Sequence, residues 1–322
     1  MIIKLQPIKT VGIILCLLTA SASPAQLTKP FSQQVSVITD NDRYLMQGRD
    51  RYYTNGLMFQ YMRTGQPKND MTYKKVHLFE AGQKLFTPYS RKIYDASQID
   101  RPITGYLYGK YTQSNFREGN QLLKWGVSVG AVGKASLGQQ MQNGFHKVIN
   151  VNSDWWGWIW GCQLKSAVGV NLHGLYAKGL LSEEGSFIQL TPVSQVTAGM
   201  DYANISQGLL VQLGKFNALH QNAYWNASVD EEEKPKTEIY FYYHPEIAYQ
   251  FYNATVQGGL FLKNKGPLVS DIEPWLLTHQ IGAAVAISRY TLKLEVIMQG
   301  KEASSQRFTH DYASIHFGYR FN

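Results

Sequence analysis

Much of this chain alternates apolar and polar residues with a period of two. Leu123, Trp125, Val127, Val129 and Ala131 are interleaved with Lys124, Gly126, Ser128 and Gly130. Leu292, Leu294, Val296 and Met298 are interleaved with Thr291, Lys293, Glu295 and Gln299. Ala313, Ile315, Phe317, Tyr319 and Phe321 are interleaved with Ser314, His316, Gly318 and Arg320. A strand points successive side chains to opposite faces, so each segment has one apolar and one polar face. A soluble sandwich does this too. Three features favour a membrane barrel. The segments run to roughly ten residues, which suits a tilted bilayer crossing. Their polar faces carry charges and glycines, as a wet lumen would. Tyr, Trp and Phe recur at segment ends, as interfacial girdles do.

Candidate strands fall near 31–39, 54–64, 71–81, 101–113, 120–132, 162–176, 186–199, 202–213, 237–250, 252–264, 278–289, 290–300 and 310–321. Single-chain bacterial barrels have even strand numbers, so the expectation is an all-β transmembrane antiparallel barrel of about 12 strands. Residues 133–161 and 214–236 are too long for hairpin turns and are expected on the outside. The charged run Asp230-Glu231-Glu232-Glu233-Lys234-Pro235-Lys236 is expected at a solvated loop tip.

The beginning of the chain changes the compartment. Lys4 and Lys9 precede a short apolar run over residues 11–20, and Ser23-Pro24-Ala25 fits a small-x-small cleavage site. This predicts a cleaved signal peptide over 1–25 and a barrel over 26–322. The run is shorter than the ~20 residues that a spanning helix needs. Bulky Ile13, Ile14 and Leu15 before Cys16 argue against a lipoprotein signal. Cys162 then stands alone, which excludes a disulfide framework and suits a packed apolar residue. The net charge of +8 falls to +6 without Lys4 and Lys9. A basic exported barrel suits phosphorylated lipid headgroups, with nucleic acid not expected as a partner.

Several polar clusters have no place in a plain pore. They are 39–43 (Thr-Asp-Asn-Asp-Arg), 50–56 (Asp-Arg-Tyr-Tyr-Thr-Asn-Gly), 82–89 with Gln83, Phe86, Thr87 and Pro88, and 100–108 (Asp-Arg-Pro-Ile-Thr-Gly-Tyr-Leu-Tyr). A fifth pairs His146 with the later Gly157-Trp158 and Gln163-Leu164. Singly they read blandly. Asp and Asn are good turn formers. Asp100-Arg101-Pro102 followed by Gly105-Tyr106 reads as the start of a strand with an interfacial aromatic. The Trp155–Trp160 region reads first as an interfacial anchor, and second as a wall for an acyl chain near His146.

In order, these clusters resemble the lipid A 3-O-deacylase (LpxR) family of outer-membrane enzymes. The likeness is dense from about residue 35 to 165 and continues afterwards only as barrel strands. It implies a twelve-stranded outer-membrane barrel, active as a monomer, that hydrolyses the 3′-acyloxyacyl chain of lipid A with calcium. The family's Asn-Asp pair falls on Asn41 and Asp42, its threonine on Thr54 and its catalytic histidine on His146. Residues 147–154 contain no glutamate where the family has one. Asn152 takes that place, with Asp154 as the alternative. Residues 157–163 also match imperfectly.

The residue types suit the chemistry. His146 can accept a proton from water near neutral pH. Asp42 with backbone carbonyls can hold Ca2+ at the ester oxygen. The Asn41 amide can donate to an oxyanion. Thr54 can hold a ligand or substrate group, and Asn152 can orient the imidazole without adding charge. Two other readings stand beside this one. The first is a catalytically impaired barrel that binds lipopolysaccharide or stiffens the envelope. The second is a porin-like channel, although a barrel of about 12 strands has an interior largely filled by side chains.

Overall fold

A computed structural model of the protein describes residues 30–46, 51–66, 71–90, 93–148, 157–180, 186–234 and 236–322. The expected leader, residues 1–25, lies outside them. Twelve antiparallel strands close into one barrel: β1 (Gln33–Asn41), β2 (Tyr52–Gly65), β3 (Thr72–Thr87), β4 (Thr104–Arg117), β5 (Gln121–Val132), β6 (Ala167–Lys178), β7 (Ile188–Gly199), β8 (Tyr202–Lys215), β9 (Glu238–Asn253), β10 (Trp275–Ile287), β11 (Tyr290–Gln299) and β12 (His310–Phe321). Each strand pairs with its neighbour in sequence, and β1 closes on β12 from Gln33↔Phe321 to Asn41↔Ala313. No strand edge is left open, so every strand's backbone groups have a neighbour to bond, as a lipid environment requires. Among the described residues no helix is long and apolar enough to cross a membrane.

The thirteenth expected strand, 252–264, is not one. Asn253 ends β9 and caps a short helix, Ala254–Gln257, its side chain accepting from the Thr255 N–H at 3.0 Å. Gly258 then takes φ 75° and turns the chain away.

The alternation sorts as a membrane barrel demands. Ile315, Phe317 and Tyr319 are exposed on the outer face, while Ser314, His316 and Arg320 between them are buried in the lumen. Tyr106 and Tyr108 also point inward, donating to Asp201 at 3.2 Å and Glu80 at 2.7 Å. Both are lumen residues, so Tyr106 is not the expected interfacial aromatic; Leu107 holds the outward place between them.

Residues 42–51, 88–103, 133–166, 254–274 and 300–309 join strands at one end, the outer rim by the rule that long loops face outside. The expectation fails for 214–236. Strand parity puts the β8–β9 connection at the opposite end, with the chain termini, and it folds into the lumen. Trp225, Ala227 and Val229 are buried against Met62, Phe116, Leu122 and Leu210. Glu231–Lys234 are exposed as the solvated tip requires, but Asp230 is drawn in, its carboxylate 2.8 Å from Lys74 Nζ, and Glu231 accepts from Thr64 and Gln66. Burial pushes the Asp230 carboxyl up, but the Lys74 charge and hydrogen bonds outweigh it and hold the group below the usual carboxylate value.

Candidate functional site

The site begins where β1 meets the outer rim. Asn41, at the last position of β1, caps a 3-10 turn over Asp42–Leu45 and accepts the Arg43 N–H at 2.8 Å. Asp42 is buried, and its Oδ2 accepts the Arg51 N–H at 2.8 Å, which fixes the chain's return into β2. Thr54 follows as the extra residue of a β-bulge. Tyr53 pairs with Phe86 and Asn55 with Leu85, and Thr54 is skipped. Bulges at barrel rims re-aim a side chain in this way.

Tyr52, just before the bulge, has φ 59°, a strained value for an aromatic residue. Its hydroxyl is tied down by donation to Asp100 at 2.6 Å and acceptance from the Phe308 N–H at 3.2 Å. Asp100 also accepts from the N–H groups of Tyr89 and Arg307. Arg101 next to it is fully buried, paired with Glu302 at 2.8 Å, bonded to Thr255 at 3.0 Å and stacked 4.1 Å over Phe86. The Asp-Arg-Pro motif is therefore a knot joining four rim loops. His310 adds a brace, its Nε2 lying 2.8 Å from the Tyr53 carbonyl.

The connection 133–166 supplies the other side. Its helices are α1 (Gly138–Val148) and α2 (Gly157–Gly161). Its described parts, 133–148 and 157–166, lie against the outer face of the wall. A Cβ on Gly138 would come within 3.1 Å of the Gly105 backbone, so only glycines allow this approach. Gln83 donates to the Ser136 carbonyl. Ile159 and Trp160 bury themselves on Leu85, Ile93 and Ile103, with Trp160 1% exposed. Trp160 is thus a packing residue and not the expected interfacial anchor. Its indole N–H donates to Gln142 Oε1 at 2.7 Å, locking α1 to α2. His146 lies four residues beyond Gln142, on the same side of α1, and is half-buried. Gln163, donating to the Trp160 carbonyl at 2.9 Å, and Leu164, whose N–H donates to the Ile103 carbonyl at 3.1 Å, return the chain to the wall.

Strand register unites the two sides. Asn41, Asn55, Leu85 and Gly105 are successive Cα partners across β1, β2, β3 and β4. They form one row on the outer face, and α1 and α2 stand on its Leu85–Gly105 end. The structure thus sets Asn41, Asp42 and Thr54 at the β1–β2 end of this row and places His146 on α1, which stands on its Gly105 end. Asn152 and Asp154 lie outside the described residues. The first part of the Trp155–Trp160 region does too.

A family model described as "Outer membrane protein LpxR" matches residues 12–321. The chain belongs to that family. It is an outer-membrane β-barrel that crosses the bilayer with its strands. Its fold is similar to that of LpxR from Salmonella typhimurium, with TM-score 0.71 and 17% identity over 89% of this chain and 100% of that one. The translocator domain of autotransporter NalP from Neisseria meningitidis gives TM-score 0.43 at 9% identity over 97% and 95% of the two chains. The transport unit of autotransporter AIDA-I from Escherichia coli gives 0.42 at 9% over 99% and 100%. No curated protein matches.

For a member of the LpxR family, the rim offers an oxygen-rich corner. Asp42, Asn41, Thr54 and nearby carbonyls are all oxygen donors, the kind a hard cation prefers. They fit calcium in type, with Asp42 as the charged donor. Asp40 nearby is taken up by Tyr53, whose hydroxyl donates to it at 2.7 Å. Among the described residues no group of three or more His, Cys, Asp or Glu side chains converges. The residues that sequence reasoning missed are those tying the corner in place: Glu302, Thr255, Arg307 and His310. They stand some 150 to 260 residues from their partners, a distance at which no local pattern is visible.

Proposed function

We propose that the protein is an outer-membrane hydrolase that removes the ester-linked 3′-acyloxyacyl chain of lipid A. The observation that carries this reading is where the 133–166 connection lies. Its described helices pack on the outward Leu85, Ile103 and Gly105, which supports reading His146 on α1 as a residue that faces the lipid leaflet rather than the lumen. A lipid held in the outer leaflet can present its ester there without leaving the membrane.

In this reading water attacks the ester carbonyl carbon while His146 takes its proton. The carbon–oxygen bond then breaks, and the proton passes to the departing sugar oxygen. The products are a carboxylic acid and a free sugar hydroxyl. The Asn41 amide oxygen is held by the Arg43 N–H, which leaves its NH2 end for the oxyanion. Thr54, re-aimed by the bulge, holds a substrate group. Asn152 orients the imidazole as an uncharged acceptor. Calcium held by Asp42 and neighbouring oxygens would supply positive charge at the ester oxygen.

Asn152, standing where the family has a glutamate, favours a second reading: a barrel that binds lipopolysaccharide without turning it over. The channel reading is weakened by residues 216–237, which fill the inner end of the lumen. Mass spectrometry of lipid A from a heterologous Gram-negative host, with wild type and His146→Ala, with and without calcium, separates the first two. A lighter lipid A only with wild type and calcium is the expected result. Unchanged lipid A from an assembled barrel would favour the binding reading.

A further inference from the structure

The outer wall below the candidate site is hollowed. Two rows of outward residues, one through Val37, Phe59, Ala81 and Gly109 and the next through Val35, Tyr61, Phe79 and Tyr111, run across β1 to β4. They line an apolar groove of about 810 Å³. Its floor is the directly paired Ala81 and Gly109. Gly109 is unusual for a strand interior, where glycine weakens the strand and often marks close approach of a ligand. It sits at neither a bulge nor a positive φ, and a Cβ there would meet nothing within 4 Å. No packing or backbone demand of the barrel accounts for it.

The groove also has a fixed relation to the site. Leu85 and Gly105, under α1 and α2, are four residues along the same two strands from Ala81 and Gly109. On the outward face Gln83, which donates to the Ser136 carbonyl, and Leu107 lie between. Four residues span about 13 Å of strand, and strand tilt of about 40° carries that run down into the membrane.

We infer that this groove is the seat of the substrate's acyl chain, entered from the His146 rim and running along the outer wall toward the bilayer middle. The inference rests on the deacylase reading. Lipid already surrounds the wall, so the groove gives no hydrophobic gain over the bilayer. What it gives is position: a chain lying on Ala81 and Gly109 has its ester held at the height of Asn41. Chain length is then a specificity determinant, because a chain too long for a shortened groove lifts its ester off the site.

The test fills the floor with Ala81→Leu and Gly109→Leu, singly and together. Ala283→Leu, an outward position on β10 away from the groove, is the control. Barrel assembly is checked by heat-modifiable gel mobility. In hosts making long-chain or short-chain lipid A, the double variant should lose long-chain cleavage by at least about tenfold. Short-chain cleavage and the control should stay near wild type. An assembled double variant with the wild-type chain-length profile overturns the groove and leaves the deacylase reading intact. A second arm works without turnover. In the His146→Ala background, native mass spectrometry counts long-chain lipid A retained by the extracted barrel. Retention should fall with the filled floor, and equal retention overturns the inference. If wild type cleaves nothing, the function reading fails while this second arm still decides the groove.

Discussion

The two longest connections of this barrel meet opposite fates. The described residues of 133–166 lie on the outside of the wall at the outer rim, and those of 216–237 fold inside it at the other end. Each goes where the wall offers it an apolar surface. At the rim, outward Leu85 and Ile103 with close-approach Gly105 make a seat for Ile159 and Trp160. At the inner end, the lumen wall switches to apolar residues, Met62, Phe116, Leu122 and Leu210, which Trp225 and Val229 cover. The inner segment is further held by Lys74 and Lys124, which donate to the carbonyls of Ala227 and Trp225 at 3.0 Å. The outer connection covers outward residues of the wall at the rim, while the inner one packs against inward residues of the lumen.

If the division holds, damage to the outer connection abolishes chemistry, and damage to the inner one changes permeability and stability. The largest effect is expected from His146→Ala, a loss of lipid A deacylation of about 100-fold or more with normal assembly, read by lipid A mass spectrometry. Trp225→Ala is next. It should cost about 3–5 kcal/mol of barrel stability and raise conductance in planar bilayers, with deacylation within about twofold of wild type. A loss of deacylation as large as that of His146→Ala would break the comparison. Trp160→Phe keeps most of the packing but removes the bond to Gln142. About 1 kcal/mol of local ordering is lost, and deacylation should fall about fivefold without any change in conductance.

The smallest effect is electrostatic. The Asp230 carboxyl is held below its usual value, so its contribution is fully present above the ordinary 3.8. It disappears as the pH falls through the lower value of the folded protein. Hydrogen exchange in 216–237 should therefore rise below that window. Asp230→Asn should show raised exchange at neutral pH and no further acid response.

The architecture was legible early because a strand in lipid must alternate. The outward Ile315-Phe317-Tyr319 face and the inward Ser314-His316-Arg320 face are written residue by residue. The exception, 252–264, has apolar content without a reason to pair. The Asn253 side chain captures the next turn as a helix cap, and that local bond competes with the ladder. Of the site, the residue types at Asn41, Asp42, Thr54 and His146 were visible as motifs. That Asn41 shares a row with Gly105, on which the helix of His146 stands, was not, since it depends on the register of four strands.

By itself, then, the sequence determined the barrel and the chemical inventory of the rim, because those follow from periodicity and local composition. Only the tertiary structure decided which side of the wall each long connection takes, that Asp100 and Arg101 knot the rim loops, and that a hollow lies beneath the candidate site. Those outcomes depend on contacts between residues far apart in the chain. Closure of the sheet creates both the inner and the outer surface on which such contacts form.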